Sequence, residues 1–161
     1  MFTSPFVLQQ FSSIDTAIES LSKVKNKFPE DTQLSSYLAG YLAVYIFGVY
    51  EECLEHLFAE EARKTGNEKI IRFIEDALDK MIRTPNFEIV KQTLGRFAED
   101  MPIKFAGKLS SEVVQAYSSL KTNRDQISHG SQHSATFDDV VKFHKSCIQF
   151  FTALEEVING R

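Results

Sequence analysis

Cysteine, proline and glycine are scarce in this chain of 161 residues, which contains 2, 4 and 7 of them, and tryptophan is absent. Two cysteines exclude a disulfide framework, and we expect Cys53 and Cys147 to be reduced, buried thiols of a cytoplasmic protein. So few turn-forming residues argue against a sandwich or barrel built from many short strands.

Positive charge is also limited, because 18 lysines and arginines face 22 acidic residues, for a net charge of −4. This balance excludes binding of nucleic acid through an overall positive field, although it permits a small local site. The most apolar run, residues 34–49, contains tyrosines, serines and glycines that make it unsuited to crossing a bilayer. The N-terminus lacks the basic region and cleavage site of a signal peptide. We therefore predict a cytoplasmic protein without a membrane segment.

Apolar residues recur every three to four positions through most of the chain, and no segment alternates like a strand for more than four residues. The pattern predicts one all-α domain, residues 1–161, shaped like a four-helix bundle. The principal helices are expected at about residues 11–25, 31–65, 111–129 and 136–159. A short helical insertion between the second and third contains stripes at 70–82 and 87–97, and residues 101–108 are predicted to form a loop.

One polar segment, near the end of the third principal helix, contains residues suited to chemistry on a phosphodiester. Arg124 and His129 are five positions apart, less than two helical turns along the axis, and Gly130 follows them. A guanidinium fork matches a phosphate, and imidazole side chains transfer protons near neutral pH. Together these groups form a minimum set for cleaving RNA through its own 2′-hydroxyl.

The spacing alone leaves other interpretations open. Arg124 also fits a surface salt bridge, and His129 fits the negative end of a helix. His129 and His133 have the spacing of a helical metal pair, but Gly130 and Ser131 interrupt the helix and no third ligand is near in sequence, so we predict no metal site. The sequence contains no P-loop or dinucleotide-binding motif, and no cofactor is predicted.

The segment from Leu120 to Gly130 resembles the signature of the HEPN superfamily, the higher eukaryotes and prokaryotes nucleotide-binding domains. Its members have an arginine, a polar residue, three further residues and a histidine, often followed by glycine, at the end of the third core helix. Asp125 occupies the polar position, where asparagine is commonest. The long second helix with Glu51 in its middle is also similar to that of some HEPN groups, and the resemblance covers about residues 8–159.

This resemblance implies a helical bundle that dimerises through its last helices, so that two motifs form one metal-independent ribonuclease site. It implies that Arg124 and His129 are catalytic, that Asp125 orients them and that Glu51 supports them. The function implied is an RNA endonuclease of toxin or defence type, with RNA as substrate and an antitoxin or other regulatory protein as a partner. A related group places a nucleotidyl-accepting tyrosine two residues after the histidine, but this chain has Ser131 there.

Three residues near the motif are candidates for contact with RNA: Lys121, Asn123 and Tyr117. Residues 101–134 carry a small excess of positive charge, to which Lys104 and Lys108 contribute, and this predicts a modestly positive cleft. Tyr117 could stack a base, although its spacing also fits packing in the core.

The last principal helix carries more apolar residues than one buried stripe needs, which predicts an isologous homodimer. The alternative function is a catalytically silent HEPN-like module that dimerises and binds a partner protein or a nucleotide.

Overall fold

The computed structural model describes residues 2–132 and 134–160, apart from the side chain of Asp79, so His133 lies outside the described residues. Seven helices and no strands occupy these residues. The helices are α1 Pro5–Lys27, α2 Thr32–Arg63, α3 Glu68–Met81, α4 Phe87–Phe97, α5 Met101–Gly107, α6 Ser111–Ser128 and α7 Phe137–Ile158. This confirms the predicted all-α fold with a helical insertion between the second and third principal helices, α2 and α6.

Side-chain caps fix where the principal helices begin. Asp31 accepts a hydrogen bond from the backbone N–H of Leu34 at the start of α2, and Ser110 accepts one from Val113 at the start of α6. Thr136 forms a capping box with Asp139 at the start of α7. Because an oxygen at the N-cap pairs an otherwise unpaired backbone N–H, these residues locate the helix starts in the sequence itself.

The prediction of a loop at residues 101–108 is wrong, because Met101–Gly107 forms the short helix α5. Pro102 lies in its first turn, where the missing N–H of proline has no intrahelical partner to lose. The proline therefore starts a helix here instead of only ending the preceding one.

Helix α2 lies at the centre of the bundle and packs against α1, α3, α6 and α7. A cluster of aromatic rings joins α1, α2, α6 and α7 in the core, and Tyr117 of α6 stacks on Phe150 of α7 with ring centroids 4.2 Å apart. Tyr50 of α2 packs against both Tyr117 and Phe151. The candidate motif at the end of α6 is thus attached to a rigid aromatic core.

Most of the apolar residues that the sequence shows in excess on the last helix are buried within the chain itself. Phe150, Phe151 and Leu154 of α7 are fully buried, and Ile148 is the one large apolar residue of this helix that is markedly exposed, at 41%. Packing within the chain therefore accounts for most of the apolar surplus of α7, and the homodimer stays a prediction. Across the described residues, no helix combines the length and the hydropathy of a membrane-spanning segment.

Candidate active site

Helix α6 ends at Ser128, so His129 lies at the C-terminal tip of the helix. His129 is the C-cap residue, and Gly130 follows it with φ +70°. The N–H of Gly130 bonds to the carbonyl of Ile127, and the N–H of Ser131 bonds to that of Gln126. These two bonds define a Schellman motif, in which glycine is favoured because the left-handed conformation strains any residue with a Cβ.

The His129 side chain is exposed at this tip. Among residues 2–132 and 134–160, it has no hydrogen-bond or ion-pair partner. An exposed imidazole can exchange a proton with a bound substrate.

Arg124 lies one turn before this end of α6, with its guanidinium between two carboxylates. Its Nη2 atom is 3.7 Å from Oε1 of Glu51 on α2, and its Nη1 atom is 3.5 Å from Oδ1 of Asp125. Both distances exceed those of a well-formed charged hydrogen bond, about 2.7–2.9 Å. The side chain is about one-quarter exposed. The two carboxylates therefore hold the guanidinium in place while leaving donors free for a further anion.

The other contacts of these carboxylates fix them in turn. Lys121, one turn earlier on α6, forms a close ion pair with Oδ2 of Asp125. Glu51 accepts a hydrogen bond of 2.8 Å from the backbone N–H of Thr84, in the segment between α3 and α4. Thr84 has φ 54°, a conformation that is rare for a β-branched residue. No local pattern in the sequence indicates that the insertion contributes to this site through Thr84.

Two of the residues predicted to contact RNA are buried, which corrects those predictions. Tyr117 is fully buried, and its hydroxyl donates a hydrogen bond of 2.8 Å to the carbonyl of Pro85. Burial raises the pKa of this phenol well above its ordinary value. Its alternative interpretation, packing in the core, agrees with the structure.

Asn123 is only 5% exposed, and its side-chain amide is used inside the protein. The amide donates to the carbonyl of Ser119 at 2.8 Å and accepts from the N–H of Ala135 at 3.0 Å. Asn123 therefore fastens the segment that follows His129 back onto α6. Of the three candidates for RNA contact, Lys121 alone keeps a partly exposed charge at the site.

Two of the lysines counted toward the predicted positive cleft form ion pairs with acidic residues of the same chain. Lys104 pairs with Asp100, and Lys108 pairs with Glu156 near the far end of α7. That end of α7 is about 30 Å along the helix axis from its start beside Asn123, at 1.5 Å per residue. At the site itself, the charges of Lys121 and Arg124 are balanced by those of Asp125 and Glu51.

The described residues contain no group of three or more histidine, cysteine or carboxylate side chains arranged to hold a metal ion. Cys53 and Cys147 are both buried and are not joined in a disulfide, as the sequence predicted.

The family model named RiboL-PSP-HEPN matches residues 10–160, and this chain belongs to that HEPN family. The match spans nearly the whole chain and confirms the superfamily that the segment around Arg124 and His129 resembled. No match was found among curated proteins or among solved structures.

Proposed function

We propose that this protein is a metal-independent RNA endonuclease of toxin or defence type that acts in the cytoplasm. The observation that supports this most directly is the arrangement at the end of α6. A guanidinium with spare donors, Arg124, lies one turn before an exposed imidazole, His129, in a chain that belongs to a HEPN family.

In the proposed reaction, the 2′-hydroxyl of one ribose attacks the adjacent phosphate. A base removes the 2′-hydroxyl proton while the 2′-oxygen forms a bond to phosphorus, and the bond from phosphorus to the 5′-oxygen breaks. That 5′-oxygen takes up a proton, and the products are a 2′,3′-cyclic phosphate and a 5′-hydroxyl. His129 serves the proton transfers, and Arg124 stabilises the charge that develops on the phosphoryl oxygens.

Asp125 and Glu51 are positioning residues in this mechanism. They limit the movement of the Arg124 side chain, so that less conformational entropy is lost when the guanidinium binds phosphate. Lys121 adds a second cation beside the same carboxylates and is the remaining candidate for direct contact with the RNA backbone.

A homodimer belongs to this proposal, because one imidazole cannot remove a proton and donate another in the same step. Two copies that present their motifs to one cleft would supply one histidine for each role. A regulatory partner of antitoxin type would act by covering this cleft.

An assay of RNA cleavage with matched variants tests the proposal. His129→Ala and Arg124→Ala should each lower the rate by on the order of 10²-fold or more, the usual effect of losing an acid–base group or a charge stabiliser. Arg72→Ala, a change at an exposed arginine on α3, is the control and should cleave like the unchanged protein. Activity that is absent from every form, including the unchanged protein, would favour the silent binding module instead.

A further inference from the structure

A groove with a volume of about 650 Å³ lies next to the candidate active site. One wall is the first turns of α2, with Gln33, Tyr37 and Tyr41, and the other is the end of α6 and the turn beyond it, with Ile127, Gly130 and Gln132. Its size lies in the range of about 300–1,000 Å³ that is usual for small-molecule sites.

The groove and the candidate active site are formed by the same two helices. On α6, Arg124 lies one turn before Ile127, and His129 directly precedes Gly130. On α2, Tyr37, Tyr41, the exposed Val44 and Glu51 lie along one side of the helix, at spacings of four, three and seven residues. Glu51 in turn contacts Arg124. A strand bound at Arg124 and His129 can therefore extend directly into the groove.

Two tyrosine rings line the groove and are exposed to an unusual degree for large aromatic side chains. Tyr37 is 65% exposed and Tyr41 is 59% exposed. The Tyr41 ring lies nearly parallel to that of Tyr45, with an angle of 8° and centroids 6.2 Å apart, and the Tyr45 hydroxyl donates to Ser13. The Tyr41 ring is thus supported by a neighbour that is itself held in place. Exposed, supported rings of this kind are platforms for flat ligands.

The polar groups that line the groove favour a nucleobase, and not a second protein surface, as its occupant. Amide and hydroxyl groups alternate with the rings, and Gln33 donates a hydrogen bond of 2.9 Å to the hydroxyl of Tyr37. None of the described residues that line the groove is charged, although the protein as a whole is acidic. An interface between two copies has a more apolar centre than this lining, whereas stacking with polar contacts at the edges is how single-stranded RNA is bound.

We propose that this groove binds an unpaired base of the RNA strand next to the phosphodiester that is cleaved, with the base stacked on Tyr41 and Tyr37. This inference rests on the proposed function, because it assigns the neighbouring nucleotide of the same substrate. It makes the two tyrosines determinants of RNA affinity and of the sequence preference around the cut, and not catalytic residues.

The test measures binding without cleavage, using a labelled single-stranded RNA whose riboses all carry 2′-methoxy groups. Fluorescence anisotropy gives the dissociation constant for the unchanged protein, Tyr41→Ala, Tyr37→Ala and Tyr41→Phe. Loss of a stacking ring should weaken binding about 5- to 100-fold, whereas Tyr41→Phe keeps the ring and should stay within about twofold. Phe73→Ala removes a ring that is 74% exposed on α3 and serves as the control for loss of a surface aromatic.

A second readout uses the tyrosines directly, since the chain has no tryptophan to mask their emission. Binding of the methoxy RNA should quench tyrosine fluorescence in the unchanged protein, and less so in Tyr41→Ala. Circular dichroism of each variant checks that the fold is kept.

Equal affinity of Tyr41→Ala, Tyr37→Ala and the unchanged protein would overturn the assignment, even if the enzyme cleaves RNA. Light scattering that shows Tyr41→Ala to be a monomer where the unchanged protein is a dimer, with RNA affinity retained, would also overturn it in favour of a contact between copies. Weaker binding by Tyr41→Ala in a protein that never cleaves RNA would support the groove and reject the proposed endonuclease. The two proposals can therefore fail separately.

Discussion

Glu51 lies 3.7 Å from Arg124 through its Oε1 atom, and the same oxygen accepts the backbone N–H of Thr84. A single carboxylate on the central helix thus connects the insertion to the end of α6. Because the ion pair is partly exposed and longer than a hydrogen bond, its own contribution to stability should be below about 1 kcal/mol. Its expected role is to keep the guanidinium oriented toward the substrate.

Replacement of Glu51 by glutamine tests this role. The glutamine oxygen can still accept the Thr84 N–H, but the charge that orients Arg124 is lost. We expect kcat to fall by roughly tenfold with little change in KM, because orientation matters most in the transition state. Steady-state kinetics and thermal unfolding are to be measured together. A fall in the unfolding midpoint without a fall in kcat would assign Glu51 a purely structural role.

Asn123 is expected to stabilise the fold and to contribute only indirectly to activity. Replacing it with alanine removes the two hydrogen bonds that this buried amide makes, to the N–H of Ala135 and to the carbonyl of Ser119, and each such bond contributes about 0.5–1.5 kcal/mol. Urea unfolding should show a loss of this size, whereas Thr122→Ala, at the exposed neighbouring position of α6, should show almost none. An unaltered unfolding free energy for Asn123→Ala would contradict the anchoring role.

His144 should make the stability depend on pH. It is 1% exposed, with Nδ1 2.8 Å from the Tyr50 hydroxyl, and Nε2 is without a hydrogen-bond partner among the described residues. Burial lowers the pKa of His144 from 6.5 to about 4, with Lys145 lowering it further and Asp15 opposing the shift. The unfolded chain therefore binds a proton between these pH values that the folded chain does not.

Above pH 6.5, His144 is neutral in both the folded and the unfolded chain and does not reduce the free energy of unfolding. As the pH falls from 6.5 toward 4, the unfolded chain takes up the proton and the free energy of unfolding decreases. The full difference is about 3 kcal/mol. The measurement is the unfolding free energy of the unchanged protein minus that of His144→Leu, from pH 7.5 to 4, which cancels titrations that both forms share. A difference that stays constant over this range would show that His144 is protonated equally in the folded and unfolded chains.

The two cysteines should resist thiol reagents until the protein unfolds. Burial raises the pKa of Cys53 and of Cys147 to about 12, and the thiolate is the reactive form. Mass spectrometry after brief treatment with iodoacetamide at pH 8 should show no labelling in buffer and two labels in urea. Rapid labelling of the native protein would contradict the buried placement of the thiols.

Much of this fold is predictable because its signals are local. Ser110 and Thr136 mark helix starts, and Gly130 marks the end of α6, each through a bond made within a few residues. The pair Arg124 and His129 is also a local signal, since both residues lie on one short segment. The helix at Met101–Gly107 was missed because Pro102 is compatible both with ending one helix and with starting the next.

What the sequence could not show depends on residues far apart in the chain. Tyr117 is buried because α7 places Phe150 against its ring, and Lys108 is unavailable to the site because it pairs with Glu156. The approach of Glu51 to Arg124 is likewise set by the packing of α2 against α6, and it was the family resemblance, not the spacing, that suggested Glu51 as a supporting residue. The net charge of a sequence segment does not predict the net charge of the surface on which it lies, because side chains from distant segments pair with its charged residues.

The measurement that tests the central claim most directly is the cleavage of an RNA oligonucleotide that carries a single 2′-deoxy ribose at its mapped cut site, with EDTA present. If the 2′-hydroxyl is the nucleophile, the all-ribose oligonucleotide is cut to a 2′,3′-cyclic phosphate and a 5′-hydroxyl, and the deoxy substitution abolishes that cut. Cleavage at the deoxy position, or strict dependence on added magnesium, would contradict the account.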